Sequence, residues 1–311
     1  MGDSGVTMRA WVLDVIACAS CAGRLAVMPG RALLVACRRC GARFPVLGGV
    51  PIVVPSPADY LAGYRDAALA ALAERGRAPR VAVAVVDAFA RAGARTEPLA
   101  FGDDWVAHEV GDAAPPAGDA AAMADAGPAA ATFRRFLDAT GGDASVDAAI
   151  IAALPARPRT IVEVGAGAGV LARRLARVPG VERLVVGDLS LRAALRAAGR
   201  GPRVAAAVLD AEALPLRPRS VDAIVAAELV DLLAAPERLL EAAAVALRPR
   251  GRLILATPDP SLGTGDDDRL LALLARDRWR VVAHHRRVPW VRPHTPRHYQ
   301  VYFADVLAAE R

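Results

Sequence analysis

From Arg159 onward, short apolar runs alternate with stretches whose apolar residues recur three or four positions apart. Runs near 160–164, 183–187, 203–209, 221–227 and 251–256 have the length of strands. The intervening segments have helical spacing: after the first run, Leu171, Leu175 and Val178 share one face, with Arg173, Arg174 and Arg177 on the other. This alternation predicts βαβ units and a parallel sheet. Two further strands, Trp279–Arg286 and Tyr299–Leu307, are expected to pair antiparallel through a loop holding Val288-Pro289-Trp290-Val291-Arg292-Pro293-His294. The pattern therefore predicts an α/β fold: a seven-stranded, mostly parallel sheet with helices on both faces.

Upstream the pattern is less regular. Residues 57–76 read as an Ala-rich helix, whereas the period over 80–90 suits either a strand or a helix. Residues 111–130 are Ala, Gly, Pro and Asp with little to bury, and read as a linker or lid. The Phe101-Gly102-Asp103-Asp104-Trp105 cluster before them reads as a packed anchor for that linker, or as part of a substrate lid. Residues 132–154 have helical spacing, with Phe133, Phe136 and Leu137, then Val146, Ala149, Ile150 and Leu154. Three regions follow: a cysteine-bearing unit over 10–56, a helical and linker region over 57–144, and the alternating region over 145–311.

All four cysteines, Cys18, Cys21, Cys37 and Cys40, fall in the first unit as two C-x2-C pairs. Two such knuckles place four thiolates around one Zn²⁺. Gly41 after the second pair suits a tight turn, and Arg38 and Arg39 offset the thiolate charge. Such a metal is structural, because four Cys ligands leave no position for substrate. Two disulfides or four free thiols are the alternatives.

The chain has 311 residues, is 54% hydrophobic and has a formal charge of +6. That is enough for a sizeable core. No apolar run reaches the roughly 20 residues that span a bilayer, so a membrane is not an expected partner. Every basic residue is arginine, a compositional bias that weakens the charge as evidence for nucleic acid. Val15-Ile16-Ala17-Cys18 superficially resembles a lipoprotein cleavage site, but Asp14 interrupts the apolar stretch, and a cytoplasmic location is expected.

The candidate chemistry gathers at the ends of the first strands. Thr160-Ile161-Val162-Glu163-Val164 runs into Gly165-Ala166-Gly167-Ala168-Gly169. Glycines let the backbone turn sharply and let a ligand lie against bare main chain. Position 170 is Val, so the run is not the G-x-G-x-x-G of a dinucleotide site. Asp188 ends the second run and is placed to accept both ribose hydroxyls of a nucleoside; it also suits a helix N-cap. Asp210 ends the third and is placed to accept from an adenine amino group beside the Ala211 N–H; it also suits a plain strand terminus. Together they match the place where open α/β sheets bind ligands.

Two family resemblances rest on these residues. Val12–Cys18, Cys21-Ala22-Gly23-Arg24-Leu25 and Cys40-Gly41-Ala42-Arg43-Phe44-Pro45-Val46-Leu47-Gly48-Gly49-Val50-Pro51-Ile52 resemble the Trm112-type zinc ribbon, which implies a scaffolding role. The second resemblance is an ordered set: Val162–Gly169, Gly187-Asp188-Leu189-Ser190, Leu209–Leu216, Ser220–Leu229 and Leu247–Pro258. These resemble the Rossmann-like class I S-adenosylmethionine (SAM) dependent methyltransferase domain of the "type 11" group. That resemblance implies SAM as cofactor. It also implies a binding set of Glu163, Gly165, Gly167, Gly169, Asp188, Leu189, Asp210, Ala211 and Glu228. Departures exist: Asp231-Leu232 stands where relatives often carry Glu-His, and no Asn/Asp-Pro-Pro-aromatic motif follows the fourth run.

Four of the five histidines lie near the C-terminus. His284, His294 and Tyr299 are the candidates for deprotonating an acceptor, against the plainer reading of a solvated basic hairpin. The leading expectation is methyl transfer from SAM to O, N or C of a small molecule. An RNA base methyltransferase and a non-catalytic scaffold that recruits a partner methyltransferase are the alternatives.

Overall fold

The computed structural model describes residues 7–28, 31–76, 79–94, 146–167, 169–198, 201–295 and 298–311. The expected linker at 111–130, the Phe101–Trp105 cluster and the first part of the expected 132–154 helix lie outside the described residues.

The cysteine unit forms two hairpins. Strands β1 (Leu25–Met28) and β2 (Arg31–Cys37) pair antiparallel, as do β3 (Arg43–Leu47) and β4 (Val50–Val53). Gly48 and Gly49 connect β3 to β4 with φ of 56° and 82°. Two consecutive positive φ values make the hairpin turn whose twist matches the strands, and glycine adopts them without strain.

Helix α1 (Pro57–Glu74) begins at Ser56, whose Oγ accepts from the Asp59 N–H at 3.2 Å, with Pro57 in its first turn. The ambiguous segment is helix α2 (Arg80–Ala92). Its end returns to the start of α1, where the Ala94 N–H donates to Asp59 Oδ1 at 2.8 Å. Then follow α3 (Val146–Ala153), β5 (Thr160–Val164), α4 (Val170–Leu175), β6 (Arg183–Asp188), α5 (Leu191–Ala197), β7 (Val204–Leu209), β8 (Val221–Ala227), α6 (Pro236–Ala246), β9 (Leu247–Thr257), α7 (Arg269–Arg276), β10 (Arg280–Thr295) and β11 (His298–Glu310).

The sheet has eleven strands in the order β1-β2-β3-β4-β7-β6-β5-β8-β9-β11-β10. This corrects the expected seven. Seven strands do lie beyond Thr160, but β4 adds in parallel to the edge of β7, with Ile52 opposite Val208 and Val53 opposite Leu209. Val50–Val53 is buried at every position, so the cysteine unit has no independent surface on that side. An uncovered β7 would present a row of unpaired backbone groups. A second seam runs beside it, where the Ala17 N–H donates to Pro215 O (2.7 Å) and the Arg217 N–H to Val15 O (2.8 Å).

Strand side chains alternate between two cores. Ile161, Leu184, Val186 and Val208 face α1 to α5; Val162, Val185, Ala207 and Leu209 face α6, α7 and the cysteine knuckles. The parallel strands β7-β6-β5-β8-β9 reverse their order between β5 and β8, the point at which open α/β sheets form a crevice at the strands' C-terminal ends.

The C-terminal hairpin departs from expectation. The segment 288–294, expected as a loop, continues β10, with Pro289 opposite Phe303 and Pro293 opposite Tyr299. Proline lacks an N–H, and an edge strand tolerates it. β10 is the outermost strand.

Candidate functional site

The glycine run leaves β5 with Gly165, Gly167 and Gly169 at φ of 70°, 51° and 74°. All three are left-handed, which accounts for the alternating spacing. A Cβ on Gly165 would also meet Leu229 Cδ2 at 2.9 Å, so the segment after β8 closes one side of the turn. Asp188 holds the other side: its Oδ2 accepts from the Gly167 N–H and its Oδ1 from the Ser190 N–H, each at 2.8 Å. Gly187 before it stays small because a Cβ there would strike Leu209 at 2.8 Å.

Glu163 lies at the base of this turn, 2% exposed. Its Oε2 is buried without a hydrogen-bond partner. Burial first, then the negative charges of Asp147 and Asp188, push its carboxyl well above the usual range. Asp147, from the first turn of α3, is also pushed up by burial, and Arg174 opposes that shift. The two form an ion pair at 3.3 Å, yet Asp147 Oδ2 takes part in no hydrogen bond.

The remaining expected residues line successive strand ends. Asp210 follows β7 and caps a short 3-10 turn, Ala211–Ala213, by accepting from the Glu212 N–H at 2.9 Å; Ala211 is buried. Leu189 follows Asp188 and its carbonyl accepts from the Tyr60 hydroxyl at 2.8 Å. Glu228 follows β8 with φ of 55°, its N–H donating to Ala256 O. The strand order thus places Asp210, Asp188, Glu163 with the glycines, and Glu228 on four neighbouring strands.

The C-terminal candidates stand apart. His284 lies on β10, four strand positions from β5, a lateral distance of roughly 19 Å at about 4.8 Å per strand. Its Nε2 pairs with Asp305 Oδ2 at 2.8 Å, and Asp305 Oδ1 also accepts from the Arg287 N–H. The side chains of His294 and Tyr299 lie outside the described residues.

Sequence reasoning missed four contributors. Tyr60 and Tyr64 reach from α1 to the loop after β6, Tyr64 sharing a 3.3 Å hydrogen bond with Ser190. Their sequence signal was two aromatics four apart in an Ala-rich helix. Asp147 carried no signal: it falls inside the helical spacing expected over 132–154. Asp231, after β8, accepts from the buried Thr257 hydroxyl at 2.8 Å, and burial raises its pKa.

The four cysteine sulfurs lie within 4.8 Å of one another, with Cys18–Cys40 at 3.7 Å and Cys21–Cys37 at 3.5 Å. These spacings exceed an S–S bond of about 2.05 Å. They match the roughly 3.8 Å edge of a tetrahedron with Zn–S near 2.3 Å. The knuckles are alike: the Ala22 N–H donates to Cys18 O and the Gly41 N–H to Cys37 O, both residues at positive φ. Gly23 is packed against the sulfurs, since a Cβ there would lie 2.8 Å from Cys37 Sγ. Among the described residues no other group of His, Cys, Asp and Glu is close enough to hold a metal.

Residues 162–255 match the family described as methyltransferase domain. Over these residues the chain is similar to a methyltransferase domain. Solved structures resemble about half of the chain at low identity. One, from the Haloferax volcanii complex that contains the Trm112 methyltransferase activator, is 16% identical over 52% of this chain and 86% of its own, with TM-score 0.44. A SAM-dependent methyltransferase from Mesorhizobium loti is 18% identical over 53% and 96%, with TM-score 0.42. A TehB-like SAM-dependent methyltransferase from Corynebacterium glutamicum is 21% identical over 58% and 94%, with TM-score 0.42. A comparison with curated proteins gives no match.

Proposed function

We propose that the chain transfers a methyl group from SAM to O, N or C of a small-molecule acceptor, and that its cysteine unit is a structural zinc ribbon of the Trm112 type. The observation that carries the reading is the joint placement of a left-handed glycine turn, a buried unpartnered Glu163 oxygen and two strand-end acids along one crevice.

The residues fit the cofactor. SAM, when bound, supplies a methyl group on a sulfonium. Glu163 and the turn at Gly165, Gly167 and Gly169 would hold its methionine end. Asp188, with Leu189 beside it, would accept from the ribose hydroxyls; Asp210 and the Ala211 N–H would take the adenine edge. Glu228 follows β8 next to Leu229, which walls the turn, and borders the acceptor side. The chain contributes chiefly alignment in a water-poor cleft. Asp231, oriented by Thr257, is placed to steady the segment that faces the acceptor. The thiolates of Cys18, Cys21, Cys37 and Cys40 would hold one Zn²⁺ and stiffen the strands added to β7.

Among the described residues no helix is long and apolar enough to cross a membrane; a cytoplasmic location is part of this proposal. An RNA acceptor is the second reading. The Arg287 guanidinium lies 5.0 Å from the Phe303 ring centroid, and Phe303 is 45% exposed, a pairing suited to stacking a base. The test is incubation of purified protein with methyl-labelled SAM and fractionated lysate. Label in the low-mass fraction supports the proposal; label only in RNA or protein, or in no fraction, overturns it.

A further inference from the structure

Three loops at the C-terminal ends of the strands are tied together by side-chain hydrogen bonds. After β7, Asp210 Oδ1 accepts from the Glu212 N–H at 2.9 Å and shapes the turn Ala211–Ala213. The Glu212 side chain leaves that turn, and its Oε1 accepts from the Ala234 N–H at 2.6 Å and from the Ala235 N–H at 3.1 Å. Those two amides end the segment after β8. The same segment carries Asp231, whose Oδ1 accepts from the Thr257 hydroxyl at the end of β9. Thr257 Oγ1 in turn accepts from the Asp259 N–H at 3.1 Å. Leu229, at the start of the segment, lies against the glycine turn. Residues 229–235 are thus held at three points: the turn after β5, the end of β9 and the turn after β7.

The tie to Glu212 is the one that sheet neighbourhood does not explain. β6 and β5 stand between β7 and β8, a lateral distance of about 14 Å at about 4.8 Å per strand. The turn and the Glu212 side chain together cross that gap on the α6 side, where Ala211, Leu214, Val230, Leu239 and Leu240 share a core. What Glu212 reaches is the entry to α6, where Ala235 is the N-cap and supplies no capping side chain. A carboxylate is favoured there because it meets the positive end of the helix dipole. Two N–H donors on one charged oxygen also bond more strongly than neutral pairs. A serine or aspartate at position 235 would cap α6 locally. An acid 23 residues upstream does something more: it makes the position of the α6 entry depend on the turn that follows Asp210.

We infer that Glu212 is a positioning residue that links the two halves of the site. A ligand held at Asp210 and Ala211 fixes the turn Ala211–Ala213, and the Glu212 carboxylate passes that constraint to residues 229–235, the segment that borders the acceptor side. The inference rests on the cofactor reading above. It goes beyond that reading by making cofactor binding and the order of the acceptor-side segment reciprocal. Glu212 acts through the backbone groups it holds, and no contact of its carboxylate with nucleoside or acceptor is required.

The test is amide hydrogen exchange by NMR, without ligand and at saturating S-adenosylhomocysteine, on the full chain of wild type, Glu212→Ala and Glu212→Gln. In wild type the ligand should slow exchange at Ala234 and Ala235 by at least about fivefold, the lower end of ordinary coupling between sites. Glu212→Gln keeps an acceptor oxygen of the same reach and should keep the slowing. Glu212→Ala should exchange faster at both amides without ligand, and the ligand should slow them by less than about twofold. A merely structural staple would give the faster exchange in Glu212→Ala but leave wild-type exchange indifferent to ligand, and that result overturns the inference. Slowing that persists in Glu212→Ala overturns it too, because the ligand would then be covering the segment directly. Failure of wild type to bind S-adenosylhomocysteine overturns the cofactor reading, and the inference with it. If Glu212→Ala does not fold, Glu212→Asp, one methylene shorter, takes its place, and the wild-type comparison needs no variant.

Discussion

The Gly167 N–H donates to Asp188 Oδ2 at 2.8 Å, tying the middle of the turn after β5 to the acid that ends β6. One hydrogen bond thus joins the part of the crevice proposed for the methionine end to the part proposed for the ribose. The turn and the acid are positioned as one unit, and substitutions on either should be felt on both.

Gly165 is the turn's steric limit. At φ of 70° an alanine costs about 1–2 kcal/mol of backbone strain, and its Cβ would meet Leu229 at 2.9 Å. Gly165→Ala should lower the melting temperature and weaken S-adenosylhomocysteine binding. Adding Leu229→Ala should return only the steric part. Full recovery in the double variant would show that backbone conformation at this position is unimportant.

Glu163 trades stability for binding. Its folded-state pKa is raised, so the native chain holds that proton more tightly than the unfolded chain. The associated stability is complete below the unfolded value of about 4.3 and is lost as pH rises through the folded value. Glu163→Gln should therefore melt higher than wild type at pH 8 without ligand, with the gap narrowing toward pH 5, and should bind S-adenosylhomocysteine more weakly. Thermal scans across that range check the sign; a variant less stable at pH 8 would contradict it.

The proposed zinc site at Cys18, Cys21, Cys37 and Cys40 predicts one Zn²⁺ per chain by elemental analysis. Site binding on the order of 10 kcal/mol should be reflected throughout the molecule, because β4 is built into the same sheet as β7. A strong chelator should lower the melting temperature of the whole chain in a single transition. Gly23→Ala, whose Cβ would lie 2.8 Å from Cys37 Sγ and 3.2 Å from Cys21 Sγ, should lower zinc content. Unchanged zinc with unchanged melting would refute the assignment.

Much of the parallel half was legible because its signals are local. The apolar runs at Thr160–Val164 and Val221–Ala227 are buried strands within their own windows, and Gly165, Asp188 and Asp210 sit at strand ends that the runs define. The cysteine spacing was equally local. What escaped depends on partners distant in sequence. Nothing in Ile52 signals that it pairs with Val208, so the joining of the cysteine unit and the sheet was invisible. Residues 80–90 became a helix because Ala82 and Val86 are buried against α1 while Val81 is 63% exposed, a face that only the partner defines. Pro289 and Pro293 suggested a loop, and only their place on the sheet's outermost strand permits an extended chain. Tyr60 lies far in sequence from Leu189, whose carbonyl accepts from its hydroxyl, and tertiary packing alone brings the two together.

The most direct measurement is calorimetric titration of S-adenosylhomocysteine into wild type and Asp188→Ala. Wild type should bind one molecule per chain, and Asp188→Ala should bind at least about tenfold more weakly, since it loses charged hydrogen bonds to the ribose and the tie to Gly167. No binding by wild type, or equal affinity in a folded Asp188→Ala, would contradict a nucleoside lying across these strand ends.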